Sequence, residues 1–436
     1  MRHSEQQVSL PESHRSVAIP QGSAKRRLWA FMGPGFLVAV GYMDPGNWAT
    51  GLAAGSAYGY ALLSVVLIAS LMAMVLQVMT ARLGIATGQD LAQLCRQRYS
   101  PRTTWGLWIM AELAVIATDL AELLGVAIAL NLLFDIPMVA GILITVFDVF
   151  LLLMLQQKGF RLIEALVITL MATISVSFAF ELWWSQPNWT DAATGLVPTT
   201  ALFSDNDMLY LALGILGATI MPHNLYLHSA LVHTRDFASD DMAKREAMRY
   251  STFDTILALT IAFFINAAIV VLAASVFHIN GQHQVAEIQD AYQLLAPTLG
   301  SSLASTLFAV ALLASGQNAT LTATMAGQVV MEGFLNIQLP AWKRRLLTRG
   351  LAILPAVLVA WWYGVSGTAQ LLVLSQVILS LQLPFALVPL WMMTRDKGLM
   401  GAFVNPLWLT VLAGIITFII IILNLKLIVD FFAERF

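Results

Sequence analysis

Apolar runs alternate with short polar breaks along almost the whole chain. Several runs exceed the roughly 18 residues that mark a membrane-crossing helix. The pattern predicts eleven spans, at about 28–57, 60–83, 105–132, 137–156, 161–184, 207–233, 253–277, 299–333, 345–363, 368–393 and 405–428. The eighth window is long for one simple span, and Ser315, Gly316, Gln317 and Asn318 are expected to loosen its middle. Residues 1–24 lack the pattern. They are polar, rich in Ser, Gln, Pro and His, and predict a disordered cytoplasmic tail ahead of one transmembrane unit over 25–436. No short apolar core with a small-residue cleavage site lies there, so a cleaved signal peptide is not expected.

Charge tests the count. Lys and Arg gather in cytoplasmic segments. With the N-terminus inside, 21 of the 23 basic residues, from Arg2 to Lys397, fall in inward-facing segments. Only Lys426 and Arg435 fall outside, and the outer stretches "NLLFDIP", "SQPNWTDAATGLVPTTALFSDND" and "HINGQHQVAEIQD" hold none. A missed helix would scramble that alternation. The N-terminus is therefore expected inside and the C-terminus outside. Composition agrees: the chain is 58% hydrophobic and 11% charged, against about 25% charged in soluble domains, and its mean hydropathy is +0.76. The expectation is an all-α polytopic protein of the cell inner (plasma) membrane, with the lipid bilayer as its surroundings. A single cysteine, Cys95, excludes an intrachain disulfide. No basic patch interleaved with aromatics suggests nucleic acid. No resident cofactor and no obligatory protein partner are expected.

Two stretches violate the apolar pattern where a helix should be most regular. The first span carries Asp44-Pro45-Gly46-Asn47 and the sixth carries Met221-Pro222-His223-Asn224. Both read X-Pro-x-Asn near mid-span. The sixth span lies five steps along from the first, an odd number, so the two motifs cross the membrane in opposite directions. That predicts a 5+5 inverted repeat, about 28–184 and 207–393, with an extra helix at about 405–428 and broken helices meeting at the midplane. Proline lacks an amide hydrogen and clashes with the carbonyl four residues back, so Pro222 frees the carbonyl of Ala218. In lipid such carbonyls need partners from protein, water or a ligand, and a cation suits them.

Asp44 adds a negative charge, Asn47 an amide oxygen and Met221 a thioether sulfur. An ionisable group at that depth marks a functional site. Hard ions such as Ca²⁺ and Mg²⁺ take oxygen ligands, and a thioether gives them nothing. Softer divalent metals accept sulfur, and ligand type sets selectivity. The set suits Mn²⁺ or Fe²⁺, with Co²⁺, Ni²⁺, Zn²⁺ and Cd²⁺ tolerated. Gln376 in span ten is the weakest ligand of the set, expected to join when the site closes.

Span three places Glu112, Asp119 and Glu122 on one helical face, by offsets of seven and three. Buried acids need a polar path or a basic partner. His223 and His228 come from span six, with Arg235 at its inner end, and Arg345 and Arg349 open span nine. Histidine's ordinary pKa of about 6.5 suits proton traffic. These groups are expected either to carry H⁺ or to lock helices together as ion pairs. Asp148, Glu164 and Glu181 have no assigned place.

"DPGN", "MPH", "ATDLAE" and the odd-span repeat together resemble the Nramp family, over about residue 28 to the last helix. "MPHNLYLHSALV", "GQNATLTATMAGQVVMEGF" and "LLTRGLAILP" resemble the eukaryotic-type branch among its bacterial members. The resemblance implies a LeuT-like fold and proton-coupled uptake of Mn²⁺ and Fe²⁺. It implies metal ligation by Asp44, Asn47, Met221 and the Ala218 carbonyl, with Gln376 in some states. It implies a proton pathway through Asp119, Glu122, His228 and an arginine of span nine, best matched by Arg349 counting back from Pro355. Magnesium- or aluminium-transporting relatives lack the methionine.

Three other classes share parts of this pattern. A sodium-coupled amino acid or amine symporter needs room for a carboxylate at a half-helix N-terminus, where Asp44 would repel it. An intramembrane enzyme finds no HExxH or GxSxG, and His3 and His14 lie in the tail. A passive metal channel differs little in sequence from a carrier.

Overall fold

Helices carry almost all of the chain in the computed structural model, which describes residues 8–147, 158–285, 287–337, 340–362 and 366–433. Seven helical segments among the described residues are long and apolar enough to cross a membrane: Leu63–Thr87, Pro101–Phe134, Phe160–Ser185, Asn206–Thr234, Asp241–His278, Gln370–Thr394 and Leu407–Val429. They correspond to spans two, three, five, six, seven, ten and eleven. Span nine is the helix Ala341–Trp362. Span four begins as Met138–Ile144, and 148–157 lie outside the described residues.

Span one comes in three pieces: Ala24–Phe31, Pro34–Gly41 and Pro45–Tyr58. The sequence pattern predicted the second interruption, not the first. Gly33 forms the first break at φ +138°, open to glycine alone, and a Cβ there would lie 2.2 Å from Glu164 Oε1. Span six breaks at one residue, Met221, between Asn206–Ile220 and Pro222–Leu231.

Span eight differs from expectation. It is one continuous helix, Ser302–Leu335, through Ser315–Asn318. The polar residues there do not open the backbone, because their side chains serve neighbours: Ser315 Oγ donates to the Met43 carbonyl, and Asn318 Nδ2 to the Val167 carbonyl at 3.3 Å. At 34 residues it is about 50 Å long, well past a hydrocarbon core of about 30 Å.

The expected disordered tail also differs, from residue 8 onward; residues 1–7 lie outside the described chain. Ser9 and Leu10 are buried. Ser9 Oγ donates to Asp90 Oδ2 at 2.6 Å and the Leu10 amide to Glu332 Oε2 at 2.9 Å. Val17–Ala18 pair in parallel with Arg235–Asp236. Two apolar side chains, Leu10 and Val17, and satisfied backbone groups hold a segment whose average polarity suggested none.

Asp90 caps the helix Leu91–Arg98 in a reciprocal box with Gln93. Burial pushes its carboxyl up from 3.8 to about 6. The fold favours the protonated form, so this contribution to stability is complete below the unfolded value and lost as pH rises through about 6. Asp90→Asn keeps a capping oxygen and removes the charge. Its melting-temperature advantage over the wild type is expected to be larger at about pH 7.5 than at about pH 5. Equal differences at both pH values would refute the burial penalty.

Candidate functional site

Pro45 and Pro222 each open a half-helix at its first turn, where a missing amide costs nothing. Asp44 is the cap of Pro45–Tyr58: its Oδ1 accepts from the Asn47 amide at 2.8 Å and from Asn47 Nδ2 at 2.7 Å. Asn47 Nδ2 also donates to the Ala218 carbonyl at 3.0 Å. That is the carbonyl Pro222 was expected to free, and one amide joins the two breaks. The other carbonyls opened in span one are taken inside the protein. Asn266 donates to Tyr42 O at 2.8 Å, and Trp48 Nε1 to Met43 O at 3.2 Å. Both carbonyls are met inside the protein, as hydrocarbon surroundings require.

Met221 holds the second break at φ +43°, ψ +94°, a strained conformation for a side-chain-bearing residue and one found at functional sites. Its sulfur lies 3.4 Å from Asn224 Nδ2. A Cβ on Gly41 would stand 3.2 Å from that sulfur and 2.3 Å from Asn224 Nδ2, so the two breaks face each other closely. Span ten completes the group: a Cβ on Gly46 would lie 1.8 Å from Gln376 Nε2. Asp44, Asn47, Ala218, Met221 and Gln376 are thus brought together, and all are buried.

Four oxygens around the breaks are buried without a hydrogen-bond donor among the described residues: Asp44 Oδ2, Asn224 Oδ1, Asn266 Oδ1 and Gln376 Oε1. Buried polar atoms are almost always satisfied, and a surplus of acceptors is what a cation completes. No three His, Cys, Asp or Glu side chains converge among the described residues. The residues gathered here instead offer carbonyls, amides, one carboxylate and a thioether. Asn224 beside the sulfur was not named as a ligand from sequence, although the matched repeat column pointed to it.

Arg349 of span nine lies between the acids of span three. Its Nη1 is 3.9 Å from Asp119 Oδ1 and 3.6 Å from Glu122 Oε2, and its Nη2 donates to the Thr145 carbonyl at 3.3 Å. All three charged groups are buried. Span three also touches the first break, since a Cβ on Gly125 would lie 2.0 Å from Pro45 Cγ. His223 Nδ1 stands 3.2 Å from Thr118 Oγ1, next to Asp119. His228 Nδ1 stands 2.9 Å from Gln77 Oε1, and Gln77 Nε2 donates to the Tyr42 hydroxyl at 2.8 Å. Glu112 is half-buried. The side chain of Arg345 and all of Asp148 lie outside the described residues. Glu181 is buried in span five.

Arg235 is not with this group. The helix of span six ends before it, in a 3₁₀ turn Val232–Thr234, so Arg235 does not continue the helical face of Met221 and His228. It pairs instead with Glu164 at 2.7 Å, both nearly inaccessible. Arg235 and Arg161 donate to the Met32 carbonyl at 2.7 and 2.8 Å, and Arg161 to Ala30 O at 2.6 Å. Across Gly33, Asp254 accepts from the Gly33 and Gly35 amides at 3.1 and 2.7 Å. Cations on the open carbonyls and an acid on the open amides match both helix ends. Glu164, unplaced in the sequence, is the hinge of that cluster.

Two interrupted helices facing each other around a buried carboxylate and a shell of acceptors, inside a bundle of long apolar helices, fit the class of multi-pass membrane transporters. The family follows from comparison. Residues 35–430 match the family model described as natural resistance-associated macrophage protein-like, Nramp, and the chain belongs to that family. It is 57% identical over 427 residues to the divalent metal cation transporter MntH of Listeria welshimeri serovar 6b, covering 98% of this chain and 95% of the relative. The MntH of Brucella suis biovar 1 is 55% identical over 427 residues, at 98% and 94% coverage. Among solved structures, the Eremococcus coleocola manganese transporter with an aromatic bis-isothiourea compound superposes with a TM-score of 0.89 at 43% identity, covering 98% of this chain and 92% of its own. MHP1, a nucleobase-cation-symport-1 transporter, matches at 14% identity with a TM-score of 0.60, over 89% and 82% of the two chains. The expected all-α, LeuT-like architecture of a multi-pass membrane protein is the one found.

Proposed function

We propose that this divalent metal cation transporter carries Mn²⁺, and Fe²⁺ beside it, together with H⁺, by alternating access around the two breaks. The surplus of buried acceptors at those breaks carries the reading. Asn47 Nδ2 now bridges two oxygens, Asp44 Oδ1 and Ala218 O. A cation entering there replaces that bridge, and a half-turn of the amide presents Asn47 Oδ1 as a further ligand. Met221 adds the sulfur that favours a transition metal over a hard ion. Asp119 and Glu122, on the span that touches the same break at Gly125, and Arg349 beside them are the groups through which H⁺ would pass, with His223 and His228 nearby. The N-terminus lies inside and the C-terminus outside in this scheme, and the metal travels inward as cargo.

Proteoliposomes loaded with a pH dye test it. Mn²⁺ entry with lumenal acidification is the expected result, and Mn²⁺ entry without it would remove the proton from the scheme. Met221→Ala is expected to keep part of the Mn²⁺ flux while Ca²⁺ flux rises about tenfold, a shift of about 1.4 kcal/mol in discrimination. Unchanged Ca²⁺ discrimination would refute the role of the sulfur.

A further inference from the structure

At its outer end span seven leaves the α-helix Asp241–Ala273 for a π-turn, Ala274–His278. Such turns are rare and recur at functional sites. This one carries His278 to the end of Pro45–Tyr58, the half-helix that holds Asn47. His278 Nδ1 lies 2.8 Å from the Ser56 carbonyl. His283, five residues on, brings its Nδ1 to 3.1 Å from His278 Nδ1 and 3.4 Å from the same carbonyl. The rings meet at 67°, 4.6 Å between centroids. Ser56 is in the last turn of its helix, where carbonyls lack an intrahelical donor.

Two imidazole nitrogens and one carbonyl oxygen therefore form a triangle with edges of 2.8, 3.1 and 3.4 Å. A first-row divalent ion with bonds of about 2.1 Å spaces its ligands about 3.0 to 3.4 Å apart in octahedral or tetrahedral geometry. With the ring protons of both imidazoles on Nε2, all three atoms of the triangle are acceptors. A cation satisfies all three at once. The fourth side is open: His283 is exposed and lines a cavity of about 500 Å³ with Ser56, Tyr210, Gln284 and Gln370. Ser56 is nine residues beyond Asn47, about 13 Å along one helix, so the cavity opens above the central site.

We propose that His278 Nδ1, His283 Nδ1 and the Ser56 carbonyl form an outer docking site for a transition-metal dication. Imidazole selects such ions against Ca²⁺ and Mg²⁺. The site holds the ion at the outer mouth and raises its local concentration above the central breaks. Its metal affinity stands apart from transport; only the delivery role rests on the transport scheme above.

Equilibrium dialysis of the full-length chain in detergent, with Zn²⁺ alone as probe, separates the two sites. Asp44→Asn is expected to lose the central equivalent and keep the outer one. Adding H278Q and H283Q to it is expected to remove one further equivalent. Equal Zn²⁺ binding by Asp44→Asn with and without the histidine changes would overturn the site, whatever happens at the centre. His283→Gln alone, a change on an exposed loop, is expected to raise the half-saturating Mn²⁺ concentration for uptake about threefold or more at unchanged maximal rate. An unchanged half-saturation would overturn the delivery role.

Discussion

Asp44→Asn is expected to abolish Mn²⁺ uptake to below about 1% of the wild-type rate while leaving the fold intact. The charge carries the effect. A unit pair at 4 Å contributes about 4 kcal/mol at an effective dielectric of 20, and each 1.4 kcal/mol is about tenfold, so a loss near a thousandfold follows. Asparagine caps a helix as well as aspartate, and the Asn47 amide at 2.8 Å keeps an oxygen to bind. The half-helix Pro45–Tyr58 therefore still starts where it does. Radioactive manganese uptake into proteoliposomes, beside the thermal midpoint of the same preparation, separates the two effects. Uptake within tenfold of wild type would remove Asp44 from the site.

Arg349→Ala is the second large effect. It leaves Asp119 and Glu122 without the guanidinium at 3.9 and 3.6 Å. Stripping a buried ion pair of one partner costs roughly 3–5 kcal/mol, so the melting midpoint is expected to fall by several degrees. Coupled acidification should fall at least tenfold, because the proposed proton path loses the guanidinium that faces both of its acids. Adding Glu122→Gln removes one unpaired charge and is expected to recover part of the midpoint but none of the acidification. Wild-type acidification in Arg349→Ala would make the cluster a structural lock only.

The central site was legible because its causes are local. Proline at 45 and 222 fixes where the backbone opens, and Ala218 follows by counting four residues back. The repeat gave the facing partner. What escaped the sequence depends on non-local packing. Glu164 reads as one more acid in an apolar span until Arg235 and the Met32 carbonyl meet beside it. Arg235 was misplaced because an α-helix was extrapolated across a 3₁₀ end. The segment from residue 8 has the composition of a disordered tail, and two apolar side chains with a few exact partners outweigh that average. Ser315 and Asn318 resembled helix breakers. In a buried helix such side chains bond to neighbouring backbone and leave the helix whole.

The closeness of spans six and ten has a kinematic consequence. A Cβ on Gly217 would lie 2.0 Å from the Gln376 carbonyl oxygen and 2.8 Å from the Ser380 amide nitrogen. These are backbone atoms, unlike the pliant amide of Gln376 that crowds Gly46. Two main chains in such contact have no slack for gradual sliding. Closely packed elements change by discrete steps, so the half-helix Asn206–Ile220 and the middle of span ten either swing as one rigid body or part completely. Gln376 is seated on that body, so in the proposed scheme it would reach the metal and leave it in all-or-none steps.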